Sequence, residues 1–194
     1  MDNKFSIVAN IIKDRRSIKP VKMNGKIIPD ELVKDILMLA DWAPTHGRTE
    51  PWRFFVYSGN KVKEFCRQHA ELYRANTTAE TFKQESYDKL LHNGDQTSHI
   101  VIAIMQRGNL PKIPALEEII ATSAAIQNIL LGATALGVAS FLSTGGLTHH
   151  HAMKEFMQLR DEDIVMGIIY LGYSDDKPEG KRAISLDEKV KWVE

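Results

Sequence analysis

The sequence predicts one domain that combines helices with strands but is not a doubly wound α/β sheet. Two apolar runs, Ile100–Met105 and Ile164–Leu171, are typical of strands buried on both faces. The stretch Leu116–Leu136 has the length of a helix and is apolar nearly all round, so it must be covered on every side by the sheet, other helices or a second subunit. Helices and strands are interleaved, but no GxGxxG motif follows an early strand, which argues against a Rossmann nicotinamide-binding domain.

The remaining elements follow from hydrophobic periodicity and from residues that start or stop helices. Pro29 and the acidic residues after it favour the start of a helix, and Pro44 ends it. Gly137 is expected to end the long apolar helix and Thr148 to cap a later one. The other predicted elements are helices at Phe5–Lys13, Lys61–Tyr73, Glu80–Leu91 and His149–Leu159, and strands at Trp52–Tyr57 and Val138–Leu142. Alternation at Glu188–Val193 predicts an edge strand.

Composition argues against several functional classes. The chain of 194 residues carries 25 basic and 25 acidic residues, so its formal net charge is zero and a nucleic-acid partner is not expected. Met1–Asn10 contains no long apolar run and predicts no signal peptide. Polar residues interrupt the long apolar stretch, so no membrane span is expected either. A single cysteine, Cys66, forms no CxxC motif and fits a reducing, cytoplasmic compartment.

A short basic segment follows the first predicted helix. Arg15, Arg16, Ser17 and Lys19 bring two guanidinium groups, a hydroxyl and an ammonium within five residues. This set suits a phosphate, because arginine donates bidentate charge-assisted hydrogen bonds. When the segment is considered alone, a solvated basic helix end is the favoured explanation.

Two further segments carry candidate binding groups. The loop Ala43–Trp52 is fixed by two prolines and presents His46 and Arg48, which could donate to the carbonyl oxygens of an aromatic heterocycle. The turn Ser143–Gly146 follows a strand, and its glycines allow backbone N–H groups to approach a flat ligand. Taken singly, the loop is also explained as a rigid corner and the turn as a plain tight turn.

Together, these segments resemble the nitroreductase family in order and spacing across nearly the whole chain. The resemblance is carried by the RRSxK segment, the APxxxxxxPW loop before an aromatic strand, the apolar helix ending in LG, and the late strand–turn–strand. It implies a single α+β domain over 1–194, with a mixed sheet flanked by helices. It also implies an intertwined homodimer that exchanges C-terminal segments and binds FMN at the subunit interface, with NAD(P)H as co-substrate.

The resemblance also assigns roles to individual residues. Arg15 and Ser17, with Arg16, would hold the phosphate and ribityl chain of FMN, and Lys19 would lie near the pyrimidine edge of the flavin. Ser143, Thr144 and Gly145 would lie beside the ring, with the Gly145 N–H directed at flavin N5. The partner subunit would contribute Pro44, Thr45, His46 and Arg48. Lys181 or Arg182 matches, loosely, a basic residue that grips the phosphate.

Two features depart from the family pattern. Arg48 and Glu50 stand where many relatives have Asn and Gln, so Arg48 either faces the flavin or pairs with Glu50. A cation near the flavin would stabilise its anionic reduced form. The segment 75–99, which is often the substrate lid in relatives, also has no clear pattern.

The expected activity is hydride transfer from NAD(P)H through the flavin to a small electron-poor acceptor, such as a nitroaromatic or a quinone, by a ping-pong mechanism. No side chain need act as a nucleophile, so no catalytic residue is assigned. Three alternatives stay open: a flavin enzyme with another reaction such as reductive dehalogenation, a non-enzymatic FMN-binding sensor, and a metal-dependent hydrolase built on His149–His151. Consecutive residues on a helix point about 100° apart, which makes metal binding there unfavourable.

Overall fold

In the computed structural model, which describes residues 3–194, an antiparallel four-stranded sheet lies between two layers of helices. The sheet order is β1-β2-β4-β3, so β1 and β3 form opposite edges. The strands are β1 Trp52–Ser58, β2 His99–Met105, β3 Ala139–Ser143 and β4 Ile164–Gly172. The helices are α1 Lys4–Asp14, α2 Asp30–Ala40, α3 Asn60–Ala75, α4 Gln84–His92, α5 Ala115–Ala135 and α6 His151–Phe156. Met1 and Asp2, which belong to the stretch expected to hold no signal peptide, lie outside the described residues.

The sheet is mixed only in a limited sense. All three strand ladders are antiparallel. Within residues 3–194, the parallel component is a single bridge between Ser17 and Ser140, where the Ile18 N–H donates to the Ser140 carbonyl at 2.9 Å. This bridge attaches the basic segment to the free edge of β3.

Two hydrophobic clusters cover the two faces of the sheet. Every residue of β2 is buried, as the continuous apolar run predicted. Val101 and Ala103 pack with α2 and α5 on one face, whereas Ile100 and Ile102 pack with α3 and α6 on the other. Because side chains alternate along a strand, one apolar run supplies both cores.

The predicted elements are all present except one, but two helices begin later than predicted: α4 begins at Gln84 and not at Glu80, and α6 begins at His151 and not at His149. α6 begins at His151 and is capped by His150, whose Nδ1 accepts from the Ala152 N–H at 3.2 Å. Thr148 is not the cap, because its hydroxyl donates to the Gly145 carbonyl instead. The predicted edge strand at Glu188–Val193 is absent: the chain is exposed throughout Asp175–Glu194 and pairs with no strand of its own protomer.

Part of the apolar surface stays uncovered in a single chain. α1 has no buried residue, and Leu116 and Ile120 of α5 are 64% and 59% exposed. Trp42, just after α2, is 86% exposed. α5 therefore rests on the sheet and α2 along one side, while its first turns present large aliphatic side chains to solvent. None of the helices in residues 3–194 is long and apolar enough to cross a membrane.

Candidate functional site

The basic segment runs along the edge of β3. Arg15 ends α1, and its N–H donates to the Ile11 carbonyl at 3.1 Å. Ile18 is buried while Ser17 and Lys19 are exposed, the alternation of an extended chain. Ser17 and Lys19 therefore lie on the same side of the segment, outside the core.

Three of these side chains have hydrogen-bond donors that no described residue uses. Within residues 3–194, the Arg15 guanidinium, the Ser17 hydroxyl and the Lys19 ammonium make no hydrogen bond or ion pair with the protein. Arg15 is half-buried, so its charge is partly shielded from water. Two cations and a hydroxyl without internal partners are the donor set that a phosphate requires.

Arg16 has a different environment. Its Nε donates to the Pro178 carbonyl at 2.8 Å, and its Nη1 donates to the carbonyls of Arg15, at 2.9 Å, and Lys13. The guanidinium thereby ties the C-terminal segment to the end of α1. The predicted contribution of Arg16 to a phosphate stays a prediction, since this side chain already serves backbone carbonyls.

The C-terminal basic residues lie near this segment without touching it. A β-carbon at Gly180 would lie 2.6 Å from Arg16 Nη2, so the chain passes directly against that guanidinium. Lys181 and Arg182 follow in the exposed tail, and Arg182 donates only to the Lys181 carbonyl, at 3.0 Å. The structure thus brings the tail at Gly180 to the basic segment, and within residues 3–194 the side chains of Lys181 and Arg182 make no hydrogen bond or ion pair with that segment.

The turn after β3 opens to solvent on one side and is fixed on the other. Thr144 and Gly145 are exposed, and Ser143 is half-buried. A β-carbon at Gly145 would meet nothing nearer than the Ser143 hydroxyl at 4.0 Å. This open side leaves room for a flat ligand against the backbone.

His69, which the sequence did not single out, contacts this turn. It lies on α3, is 1% exposed, and its Nε2 donates to the Gly146 carbonyl. In the sequence it resembles any core histidine on an apolar helix face. Only the packing of α3 under the turn shows the contact.

The proline-bounded loop lies at the other end of the molecule. His46–Arg48 forms a short 3₁₀ turn in which Gly47 and Arg48 have φ values of 60° and 54°. His46 Nδ1 is 2.5 Å from Glu117 Oε2 in the first turn of α5, and the Thr45 hydroxyl is 3.0 Å from that of Thr49. Pro44 is exposed.

Arg48 does not pair with Glu50. Among the described residues its exposed guanidinium makes no hydrogen bond or ion pair, and Arg53 Nη1 instead donates to the Glu50 carbonyl, at 2.8 Å. Arg48 and Glu50 both have positive φ, 54° and 42°. For residues with side chains this backbone conformation is unfavourable, and such strain concentrates at functional sites.

A buried charge network holds the nearby start of α5. Glu118 is 1% exposed and receives hydrogen bonds from the Arg107 guanidinium and, at 3.1 Å, from the Gly108 N–H. Asp163, also 1% exposed, accepts from the Arg107 N–H at 2.8 Å and from the Arg160 guanidinium at 2.8 Å. Burial by itself raises the pKa of Asp163, but the Arg160 and backbone hydrogen bonds outweigh it and hold the pKa below its usual value.

The two groups of predicted residues lie far apart in one chain. Strand pairing aligns Ser17 with Ser140 of β3 and, through β4 and β2, with Ser58 at the end of β1. The proline-bounded loop instead joins β1 at its other end, at Trp52. Four strand spacings of about 4.8 Å and six residues of about 3.3 Å place the two levels about 28 Å apart. Along α5, Glu117, which contacts His46, and Thr134, which lines the same cavity as Arg16, are separated by about 26 Å at 1.5 Å per residue.

The three consecutive histidines have separate partners. His149 Nδ1 donates to the Val165 carbonyl at 2.9 Å, His150 caps α6, and His151 is 3.0 Å from Glu155 Oε1. Within residues 3–194, no group of three potential ligands is arranged for a metal ion. The geometry therefore gives no support to the hydrolase alternative.

Comparison with known proteins agrees with the fold. A nitroreductase-like protein from Bacillus cereus superimposes with a TM-score of 0.85 at 28% identity, covering 100% of this chain and 99% of that one. A Bacillus subtilis protein with the provisional name NAD(P)H nitroreductase is 24% identical over 187 residues, 96% of this chain and 94% of its own length. An FMN-bound nitroreductase from Desulfitobacterium hafniense has a TM-score of 0.68 at 18% identity, with 100% of both chains covered.

The family assignment rests on the greater part of the sequence. Residues 12–173 match the Nitroreductase family, a range that begins before the basic segment and ends after β4. It includes both the loop at Pro44–Arg48 and the turn at Ser143–Gly146. The chain belongs to the nitroreductase family.

Proposed function

We propose that two copies of this chain bind FMN between them and transfer hydride from NAD(P)H to small electron-poor acceptors, such as nitroaromatics or quinones, in a ping-pong sequence. One observation carries the proposal. Within residues 3–194, cationic and hydroxyl donors without internal partners lie near one end of α5, a strained loop with an unpaired guanidinium lies near the other, and about 28 Å separates them. A second chain that packs antiparallel along α5 would bring the basic segment of each protomer against the Pro44–Arg48 loop of its partner.

The residues present fit FMN. Arg15 and Ser17 would hold the phosphate, with Lys181 or Arg182 supplied by the nearby tail and Arg16 ordering that tail. Lys19 would place a positive charge beside the pyrimidine edge. Ser143, Thr144 and Gly145 offer an open backbone surface to the ring. Pro44, Thr45, His46 and Arg48 would close the site from the partner.

FMN would supply the hydride-accepting and hydride-donating chemistry. The protein then needs only to orient the flavin, neutralise its negative charge and exclude water from the site. The Thr144 and Gly145 N–H groups, which have no partner within residues 3–194, would stabilise electron density on the adjacent ring edge, and the Lys19 and Arg48 cations would stabilise a negative charge on the ring. The names of the relatives, one an NAD(P)H nitroreductase and one an FMN-bound nitroreductase, support this pair of reactants.

The uncovered apolar face supports the homodimer. Leu116, Ile120 and Trp42 are large and exposed, and α1 contributes further exposed apolar residues, namely Phe5, Ile7, Val8 and Ile12. Large exposed patches of this kind mark interfaces. Within residues 3–194 the outer edge of β1 is unpaired, and an edge of this kind can pair with a second chain. The exposed tail 175–194 would be the segment that the two protomers exchange.

The same proposal includes the extent of the domain, the class of substrate and the cellular location. All 194 residues would act as one domain, with a small-molecule substrate, in the cytoplasm. The proposal includes no nucleic-acid partner, because the 25 basic residues are balanced by 25 acidic ones.

The visible spectrum of the purified protein tests the proposal first. Absorbance near ~370 and ~450 nm is expected for bound oxidised flavin. Anaerobic NADH or NADPH should bleach it, and a quinone or nitroaromatic should restore it. Arg15→Gln should weaken FMN binding about 10- to 100-fold, the loss of one charge-assisted hydrogen bond, whereas Arg67→Gln, on the exposed surface of α3, should not.

Each alternative gives a different result. Bound flavin that no nicotinamide bleaches would favour the sensor. Bleaching without reoxidation by quinones or nitroaromatics, but with reoxidation by a halogenated aromatic, would favour reductive dehalogenation. A colourless protein that does not bind added FMN would refute the proposed function.

A further inference from the structure

Two buried side chains hold the turn after β3 from below. The Thr148 hydroxyl donates to the Gly145 carbonyl at 2.6 Å, and His69 Nε2–H donates to the next carbonyl, that of Gly146. Both side chains belong to residues that are 1% exposed. Within the described chain, the N–H groups of Thr144 and Gly145 donate to nothing, so the carbonyls are fixed while these amides stay free.

The contact depends on glycine at position 146. Gly146 has a φ of +65°, and a β-carbon there would lie 2.5 Å from Leu90 Cδ2 and 2.8 Å from His69 Nε2. A side chain would therefore push the turn away from α3 and α4. The turn, α3 and α4 are packed so closely that His69 reaches the backbone directly.

The hydrogen bond to the Gly146 carbonyl requires a proton on Nε2 of His69. The Gly146 carbonyl can only accept a hydrogen bond, so the proton of the neutral ring is on Nε2. Burial lowers the pKa of His69, and the bond to Gly146 opposes this only in part. Nδ1 is buried and has no partner among residues 3–194, and folded proteins tolerate few such atoms. The tautomer that satisfies the Gly146 carbonyl therefore leaves the other ring nitrogen unpaired.

We propose that His69 and Thr148 are positioning residues that hold the free amides of Thr144 and Gly145 toward the flavin. This inference rests on the proposed function, in which the Gly145 N–H faces N5 of the ring. His69 and Thr148 touch neither cofactor nor substrate in this arrangement. They fix the carbonyls of the 145–146 and 146–147 peptides, which restrains the backbone immediately after Gly145 and so limits the movement of the two free amides that precede it.

Paired substitutions separate the hydrogen bonds from side-chain size. His69→Gln keeps an N–H donor near the Nε2 position and His69→Leu removes it; Thr148→Ser keeps the hydroxyl and Thr148→Val removes it. His149→Leu is the control, because that histidine bonds to the Val165 carbonyl and not to the turn. Circular dichroism and the unfolding midpoint show whether each full-length variant is folded.

Two measurements apply to each variant. Amide hydrogen exchange of residues 143–148 in FMN-free protein should accelerate about tenfold in His69→Leu and Thr148→Val, which lack the donor, and little in His69→Gln and Thr148→Ser. In the FMN-loaded protein, kcat should fall about tenfold in the two variants that lack the donor, with KM for the nicotinamide within about twofold, because a loosened donor acts on the transition state. The His149→Leu control should match wild type in both.

Three results would overturn the inference. One is wild-type exchange and kcat in both His69→Leu and Thr148→Val. Another is equal damage in His69→Gln and His69→Leu, which would assign His69 a packing role. A wild-type protein that holds no flavin would overturn this inference together with the proposed function, whereas the first two leave the proposed function standing.

Discussion

At the scale of single residues, the neighbours Arg15 and Arg16 show that position in a motif does not decide the role of a side chain. Arg16 donates to the carbonyls of Lys13, Arg15 and Pro178, and so fixes the tail. Arg15 has no such partner within residues 3–194 and remains available to a ligand. From sequence the two guanidinium groups are equivalent, and the difference arises because the C-terminal segment returns to the end of α1.

Arg48 carries the first prediction. Its guanidinium is free within the described residues, and its backbone is held at φ 54° in a loop that we place over the partner's flavin. Arg48→Asn, the residue that many relatives have, should lower the flavin midpoint potential by about 30 mV, equivalent to about 1.4 kcal/mol for a two-electron couple. The reason is that a nearby cation stabilises the anionic reduced flavin.

Spectroelectrochemical titration of the FMN-loaded protein measures the Arg48 effect. Arg67→Asn, an exposed arginine of α3, serves as the matched control and should leave the potential unchanged. An unchanged or raised potential in Arg48→Asn would show that Arg48 points away from the ring.

At the scale of elements, α5 spans the distance between the two groups of site residues, and its start positions one of them. Its first turn holds His46 through Glu117, and its last turns lie beside Arg16. The buried pair of Arg107 and Glu118 fixes the start of this helix against the loop after β2. The stability of this network is therefore a condition for the position of the Pro44–Arg48 loop.

Arg107→Met should destabilise the fold by about 3 kcal/mol, because it leaves Glu118 as an uncompensated buried charge. Urea unfolding at a fixed protein concentration measures this. The control is Lys34→Met, which breaks the exposed pair of Lys34 and Glu31 at 3.0 Å and should change stability by less than about 0.5 kcal/mol. Equal effects of the two substitutions would mean that the Arg107 pair is solvated.

Asp163 gives this network a pH dependence. Its folded pKa is held below the usual value, so its contribution to stability is present above the unfolded pKa of about 3.9 and is lost as the pH falls through the folded pKa. The difference in unfolding free energy between wild type and Asp163→Asn should therefore shrink from about pH 6 to about pH 3. The exposed neighbour Asp161 provides the control substitution Asp161→Asn. A constant difference over this range would contradict the prediction.

At the scale of the whole molecule, the single chain has an incomplete surface. Within residues 3–194, α1, the first turns of α5 and Trp42 carry exposed apolar side chains, β1 has an unpaired edge, and the tail beyond Ser174 is exposed throughout. Each feature alone has an ordinary explanation. Their combination with a site divided between the ends of α5 favours a dimer that completes both the core and the cofactor site.

Ile120→Asp should convert the dimer to a monomer and abolish flavin binding together. A carboxylate buried in an apolar interface without a partner is strongly unfavourable. Size-exclusion chromatography with light scattering measures the mass, and absorbance near ~450 nm reports bound flavin. Ile27→Asp is the matched control: Ile27 is 69% exposed on the loop before α2 and should tolerate the charge. A dimer that persists in Ile120→Asp, or a monomer that retains FMN, would refute the shared site.

The sequence alone determined the elements, the family and the chemical character of the candidate site. Apolar runs at β2 and β4 and the length of α5 predict their structures because burial and periodicity are local properties of the chain. The RRSxK, loop and turn segments are likewise continuous in sequence. The tertiary structure decided what depends on distant contacts: that Arg16 binds the tail, that His69 holds the turn, that Thr148 is no helix cap, and that the tail forms no strand within its own chain. A hydrogen bond between α3 and a turn far along the chain leaves no periodic trace in the sequence, because only packing brings the two together.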